Sequence, residues 1–175
     1  MLTPDDLQRY LAANNIPAEI IHVTAETPTV AAAAQALGVP VDQIAKTVIF
    51  FVDGQPYAVI ANGVQRVDSR KLAVRFGVNR KKIKLADGDA VTALTGYAPG
   101  TVPPLGHREA LPVLMDPAVC QQEIIYAGGG GIAAMLRVRS DDLARLTRAE
   151  ILDVLEDKRL DSPQNTSSYG TADPG

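Results

Sequence analysis

With 175 residues, 46% of them hydrophobic and 21% charged, the chain has the composition of one globular domain and is too short for two ordinary ones. One cysteine and two distant histidines exclude a disulfide within the chain and the usual zinc spacings, so we predict neither a metal nor a cofactor. No stretch approaches the roughly 18 apolar residues of a membrane helix, and the acidic start does not resemble a signal peptide. We therefore predict a cytoplasmic location and no membrane partner.

The first half of the chain predicts three helices, a strand and a β-hairpin. Thr3, Thr29 and either Asp68 or Ser69 are suitable helix caps, and helical spacing of apolar residues follows them. Asp53-Gly54 is a turn signal between two apolar runs. We predict helices that begin at these caps and end at Asn14, Gly38 and Gly77, a strand over residues 19–24, and a hairpin over residues 45–62.

The second half predicts shorter elements around a long loop. Three glycines and three prolines among residues 96–107 indicate a loop of fixed shape. Around it we predict strands over residues 82–85, 111–115, 123–127 and 132–138, a short helix over 87–94, a helix from Ser140, and a second helical stretch over 148–155. Single helices alternating with hairpins favour an α+β domain over residues 1–160. The polar residues 161–175 predict a disordered tail.

Charge is concentrated in one segment, which we call the basic segment. Residues 66–84 contain eight basic residues and a single acid, Asp68, for a net charge of +7 against −10 for the rest of the chain. Such a cluster on an acidic protein is a potential binding surface for a polyanion. An ordinary solvated helix face has the same composition, and charge alone does not separate the two interpretations.

Lys46 is the first candidate for chemistry. It begins an apolar strand, and the two-residue period places it on the same face as Val48, Phe50 and Val52. A lysine at the rim extends to water, which is the commoner arrangement. Inside a cleft its ammonium could bind a phosphate or polarise an ester carbonyl.

The Gly/Pro loop is the second candidate, because its prolines present carbonyls and its glycines allow a ligand to approach closely. A structural corner is the alternative. Gly128-Gly129-Gly130-Gly131-Ile132-Ala133 matches a dinucleotide-binding pattern, but the following chain is short, and we favour a flexible turn between two strands. We predict that Cys120 is a buried thiol in a short helix, and that His22 and His107 are structural or line a surface.

Four segments together resemble the YbaK/prolyl-tRNA synthetase-associated editing domain family. They are the alanine-rich helix over residues 29–39, the lysine strand over 43–50, Val67-Asp68-Ser69-Arg70-Lys71-Leu72, and the Gly/Pro loop over 95–107. The resemblance extends from about residue 22 to residue 146. It implies an α+β fold with a branched, mostly antiparallel mixed sheet surrounded by helices. The chain departs from the family at the glycine run and at residues 100–104, so substrate specificity does not transfer.

The resemblance also implies a function: hydrolysis of the ester between a wrong amino acid and tRNA, most often alanine or cysteine on tRNA(Pro). Prolyl-tRNA synthetase is a candidate partner. The implied catalytic residues are Lys46, Gly100, Pro103 and Gly106. The implied substrate-binding residues are His22, Thr47, Pro104, His107 and Gly128, and the implied tRNA contacts are Arg66, Arg70, Lys71, Lys81 and Lys82. A non-catalytic tRNA- or synthetase-binding module remains an alternative, as does a nucleotide-binding oxidoreductase that uses the glycine run.

Overall fold

The computed structural model describes residues 1–157, so the predicted tail over residues 161–175 and the predicted domain end at residue 160 lie outside the described chain. Within that part there are six α-helices: Pro4–Ala13 (α1), Val30–Leu37 (α2), Ser69–Phe76 (α3), Gly88–Thr95 (α4), Pro117–Cys120 (α5) and Ser140–Thr147 (α6). The strands are Ala18–His22 (β1), Ala45–Val52 (β2), Gln55–Asn62 (β3), Ile83–Leu85 (β4), Val113–Met115 (β5), Ile124–Gly131 (β6), Ala134–Arg139 (β7) and Glu150–Ile151 (β8).

The strands form two sheets that meet at one end of β2. One has the order β1-β7-β6 and is antiparallel, and the other has the order β4-β2-β3-β5-β8. In the larger sheet β2 is antiparallel to β3 and β4, whereas β5 is parallel to β3 and β8. Ile44, just before β2, forms a parallel bridge with Tyr126 of β6 and so joins the sheets. The predicted α+β fold is confirmed.

Capping residues account for where the helices begin. The Thr3 hydroxyl and the Asp6 carboxylate form a reciprocal capping box at α1. The Thr29 hydroxyl accepts a hydrogen bond from the backbone N–H of Ala32 (3.1 Å), and the Asp68 carboxylate accepts one from that of Arg70 (2.8 Å). The predicted starts of these three helices are therefore confirmed.

Side chains that alternate along β2 and β3 divide the core into two layers. One layer packs under α1 and the smaller sheet, and contains Leu7, Leu11, Ala45, Ile49 and Leu136. The other packs under α3, and contains Phe50, Val52, Val59, Ala61 and Leu72. The larger sheet is therefore covered on both faces, which fixes the register and orientation of β2.

The chain after α6 does not form the predicted helix over residues 148–155. It contains β8, which pairs in parallel with β5. The carboxylate of Asp116 then accepts hydrogen bonds from the backbone N–H groups of Val154 (2.9 Å) and Leu155 (3.3 Å). The helix prediction was wrong because these N–H groups find their partners in distant parts of the chain, which local spacing does not reveal.

The glycine run at residues 128–131 lies in a strand and not in the predicted turn. β6 continues to Gly131, and the turn to β7 falls at Ile132 and Ala133. Because β6 and β7 are antiparallel, the dinucleotide-binding interpretation, which needs a helix after the run, is also wrong. Cys120 does end a short helix as predicted, but its side chain is exposed, so the prediction of a buried thiol was wrong.

Candidate functional site

A small cleft opens where the two sheets separate, beside the first residues of β2. Its volume is about 190 Å³. Its walls come from the first turn of α2, the start of β2, the Gly/Pro loop and the smaller sheet, and they include Thr29, Ala33, Lys46, Thr47, Gly100, Val102, Gly128 and Met135. We call it the Lys46 cleft.

Lys46 is half-buried in this cleft, and its ammonium is held by backbone carbonyls. Its Nζ donates hydrogen bonds to the carbonyl oxygens of Gly63 (3.4 Å) and Gln65. The pKa of Lys46 is lowered, mainly because burial disfavours the charged form and secondly because the positive charge of Arg66 is close. An ammonium has three N–H donors, so one remains for a ligand.

Thr47 contributes the most unusual polar group of the cleft. Its Oγ1 is buried and has no hydrogen-bond partner among residues 1–157. The other two threonine hydroxyls are occupied, since that of Thr27 donates to the carbonyl of Ile132 (3.1 Å) and that of Thr29 caps α2. An unpaired buried hydroxyl costs about 1–3 kcal/mol, so a bound ligand or water that pairs with it would be favoured.

The Gly/Pro loop approaches the cleft along one side of β6. The backbone N–H of Gly130 donates to the carbonyl of Thr101 (2.9 Å). A Cβ on Gly128 would lie 2.4 Å from the carbonyl oxygen of Val102, so only glycine allows this approach. Gly100 has φ +82°, a left-handed conformation that suits glycine, and it lies at the exposed edge of the cleft.

The structure divides the predicted catalytic and substrate-binding residues into two groups. Lys46, Thr47, Gly100 and Gly128 meet in the Lys46 cleft. The remaining five do not line it: His22, Pro103, Pro104, Gly106 and His107. His22 is exposed on the edge strand β1.

The second half of the Gly/Pro loop faces α1 instead. Pro104, Gly106 and His107 line a separate cavity of about 350 Å³ beside Tyr10. The Nε2 of His107 donates to the carbonyl of Pro103 (2.6 Å), and burial lowers the pKa of this histidine. The carbonyl of Pro103 is therefore already occupied, and this part of the loop is attached to the body of the protein.

Several cations of the basic segment are paired with carboxylates. Arg70 forms hydrogen bonds to Asp68, and these lower the pKa of that carboxyl group. Lys71 is bound by Asp153 and Asp157, both at 2.9 Å, and Lys82 lies 3.4 Å from Asp53. Arg66 and Lys81 are exposed and have no carboxylate within 4.0 Å in the described chain. Of the five predicted tRNA contacts, these two are the most available for a new anion.

The cleft also contains residues that the sequence analysis missed. The segment from Thr27 to Val30 and Met135 also line the cleft. Thr29 was recognised only as a helix cap, and no spacing in the sequence connects Met135 to Lys46. A larger depression of about 540 Å³ lies against β1 and β7, but it is lined by ion-paired surface residues and contains no predicted site residue.

Two properties of residues 1–157 concern membrane helices and metal ligands. None of the helices there combines the length and the apolar character needed to cross a membrane. Nowhere in the same range do three or more His, Cys, Asp or Glu side chains cluster as metal ligands would.

Residues 24–146 match the sequence model of the aminoacyl-tRNA editing domain. Proline–tRNA ligase of Staphylococcus aureus (strain Newman) is 40% identical over 87 residues, which are 48% of this chain but only 15% of the ligase. The chain thus corresponds to a small part of the curated relatives that it matches.

Two solved structures resemble the chain over nearly their whole length. One, provisionally assigned as a trans-editing enzyme for prolyl tRNA synthetase, has a TM-score of 0.81 and 30% identity, covering 90% of this chain and 100% of that one. Another, a hypothetical protein named APE2540, has a TM-score of 0.79 and 30% identity, covering 86% of this chain and 99% of that one.

Proposed function

Because the chain belongs to the aminoacyl-tRNA editing domain family, we propose that it hydrolyses the ester between a mismatched amino acid and the 3′ end of a tRNA. Alanine and cysteine on tRNA(Pro) are the proposed substrates. The observation that carries the proposal is the lining of the Lys46 cleft, which combines a lysine whose ammonium has one N–H to spare, a threonine with an unpaired buried hydroxyl, and two glycines.

The residues of the cleft suit electrostatic catalysis better than covalent catalysis. Among residues 1–157, its lining includes no cysteine, histidine or carboxylate that could serve as a nucleophile or its base. In the proposed reaction water adds to the ester carbonyl, and the ribose hydroxyl of the tRNA leaves, which gives free amino acid and tRNA. The ammonium of Lys46 would stabilise the negative charge that develops on the carbonyl oxygen, and partial burial strengthens that interaction.

The walls of the cleft suit a small amino-acid side chain. Ala33, Val102 and Met135 provide apolar surface, and the volume of about 190 Å³ is below the range of about 300–1,000 Å³ of typical small-molecule pockets. The hydroxyl of Thr47 would find its missing partner in a polar group of the aminoacyl moiety. Size alone separates neighbouring amino acids by only about 10–200-fold per methylene, so alanine and cysteine need not be distinguished sharply.

A binding module without catalysis is the second candidate, because Lys46 already donates to two carbonyls as a purely structural lysine would. Such a module would be expected to fill its cleft with side chains. Tyr97 and Tyr126, which lie a few residues before Gly100 and Gly128, do not line it. The open cleft therefore favours the enzyme. Prolyl-tRNA synthetase is the proposed partner for delivery of the tRNA, by analogy with the ligase that shares this domain.

The test is a deacylation time course on tRNA(Pro) charged separately with alanine, cysteine, serine and proline. We expect the wild type to hydrolyse the alanyl or cysteinyl species and to spare the prolyl species. Lys46→Ala should lower the rate by about 10²-fold or more, the typical effect of removing a group that stabilises the developing oxyanion.

Lys84→Ala is the matched control for this experiment. Lys84 is exposed on β4 and pairs with Phe51, which is about 17 Å along β2 from Lys46 at roughly 3.4 Å per residue. The Lys84→Ala substitution removes one positive charge from the same sheet, as Lys46→Ala does, and should leave the deacylation rate within about twofold of the wild type. Full activity in a folded Lys46→Ala variant would refute the mechanism, and tRNA binding without turnover on any charged species would favour the binding module.

A further inference from the structure

The turn between β3 and α3 brings a second cation beside Lys46. Residues Gly63 and Gln65 of this turn accept the hydrogen bonds of the Lys46 ammonium, and Arg66 follows directly. The proximity is close enough for the charge of Arg66 to contribute to the lowered pKa of Lys46. Two like charges held together repel each other, and an anion between them would relieve that repulsion.

Arg66 differs from the neighbouring cations Arg70 and Lys71 in that no carboxylate of the described chain pairs with it. Within residues 1–157 its guanidinium has no carboxylate within 4.0 Å, whereas Arg70 and Lys71 are paired with acids. Its side chain is exposed. A guanidinium presents a planar fork of N–H donors that matches two phosphate oxygens at once.

The backbone of Arg66 is fixed although its side chain is exposed. Its carbonyl accepts a hydrogen bond from the backbone N–H of Glu156 (2.8 Å), and the side-chain amide of Gln65 donates to the carbonyl of Glu156 (3.1 Å). The next residue, Val67, forms an antiparallel bridge with Leu155. The C-terminal segment, residues 154–156, thus holds the turn through hydrogen bonds, which fixes the position of the Arg66 Cα relative to the cleft.

We propose that Arg66 binds the phosphodiester on the 5′ side of the terminal adenosine of the aminoacyl-tRNA, while Lys46 acts at the ester. This inference rests on the proposed function. The phosphate is one ribose away from the ester, so a cation next to the catalytic lysine is suitably placed for it. Arg66 is then a substrate-binding residue for the tRNA end, distinct in role from the carboxylate-paired cations of α3.

Steady-state deacylation of the preferred charged tRNA(Pro) provides the first measurement. Arg66→Ala should raise KM by about tenfold or more, as expected for loss of a charge-assisted hydrogen bond, and leave kcat within about twofold. Arg66→Lys keeps the charge but loses the fork, and should show an intermediate KM. Lys84→Ala, with the same change in net charge, should alter KM by less than about twofold. An equal rise in KM for the Arg66→Ala and Lys84→Ala variants would overturn the proposal.

Salt dependence and RNA binding provide a second measurement that does not need turnover. An acceptor-stem minihelix of tRNA(Pro) that has a single-stranded CCA end and no attached amino acid is titrated with the protein, at salt concentrations from low to physiological. In Arg66→Ala the slope of the logarithm of the binding constant against the logarithm of salt concentration should be less steep by about 0.7, the value for one phosphate contact on a single strand. In Lys84→Ala this slope should equal that of the wild type. An unchanged slope in Arg66→Ala contradicts the contact.

The two measurements separate failure of this inference from failure of the proposed function. If the wild type hydrolyses no charged tRNA but binds the minihelix with the expected Arg66 dependence, the deacylase proposal fails and the phosphate contact stands. If the wild type is an active deacylase and Arg66→Ala is indistinguishable from Lys84→Ala in both assays, only the phosphate contact fails.

Discussion

Replacing Asp116 with alanine should remove a large share of the stability of the protein. Asp116 is 4% exposed. Its carboxylate accepts hydrogen bonds from the backbone N–H groups of Ala118 (2.8 Å), Val154 (2.9 Å) and Leu155 (3.3 Å). Hydrogen bonds to a charged group contribute about 1.5–3 kcal/mol each, and they are not additive here because the three go to one carboxylate, with Val154 and Leu155 sharing its Oδ2. We therefore expect a loss of about 3–5 kcal/mol from the free energy of unfolding.

That loss is large against the roughly 5–15 kcal/mol by which a native domain is usually stable. The chain has no tryptophan, so urea unfolding is best followed by far-ultraviolet circular dichroism. The matched control is Asp153→Ala, which removes an acid that is 69% exposed and paired with Lys71 at 2.9 Å. An exposed ion pair contributes about 0–1 kcal/mol. Equal losses in the two variants, or a loss below about 1 kcal/mol in Asp116→Ala, would refute this account of how the C-terminal segment is held.

Two further predictions concern the Gly/Pro loop. Burial lowers the pKa of His107 below its ordinary value of 6.5. Neutral His107 therefore contributes fully to the free energy of unfolding above pH 6.5. This contribution is lost as the pH falls through about 6.5 towards the folded-state pKa, by at most about 1.4 kcal/mol per pH unit. His107→Gln, which can still donate to Pro103, should flatten this part of the pH profile in urea unfolding between pH 7.5 and 5, and an equally steep profile would contradict the assignment. Gly128→Ala places a Cβ 2.4 Å from the carbonyl oxygen of Val102, so it should cost about 1–3 kcal/mol and impair deacylation. Gly88→Ala, whose Cβ meets only a proline side chain at 3.3 Å, is its control, and similar behaviour of the two variants would argue against close packing at Gly128.

Local signals in the sequence predicted most of the fold. Thr3, Thr29 and Asp68 cap their helices through side-chain hydrogen bonds that depend on only the next few residues. Asp53-Gly54 forms the hairpin turn with positive φ at both residues, as such a turn requires. The predictions failed where partners are remote, as in residues 148–155, whose backbone pairs with β5 and with Asp116.

The sequence predicted how many positive charges the basic segment carries, but not which of them form ion pairs. The sequence places Arg70, Lys71 and Arg75 in a basic segment, and the fold then brings Asp153, Asp157 and Glu150 against α3. Those acids lie about 80 residues away in the chain, and no spacing links them to the helix. Arg66 could not be distinguished from its neighbours until this neutralisation was known.

The two sides of the Gly/Pro loop lie in different surroundings. The first part of the loop, at Gly100 and Val102, lines the cleft, while His107 is bonded to the carbonyl of Pro103 on the side that faces α1. Both parts belong to one loop with few rotatable backbone angles at its prolines, so the attachment on the α1 side fixes the position of the cleft side. We propose that Pro103, and the other loop residues that do not line the cleft, act as positioning residues, and that Lys46, Thr47 and the backbone near Gly100 would contact the substrate. The sequence analysis predicted a single site because glycine and proline occur throughout the loop. Only the packing of one side against α1 distinguishes the two parts.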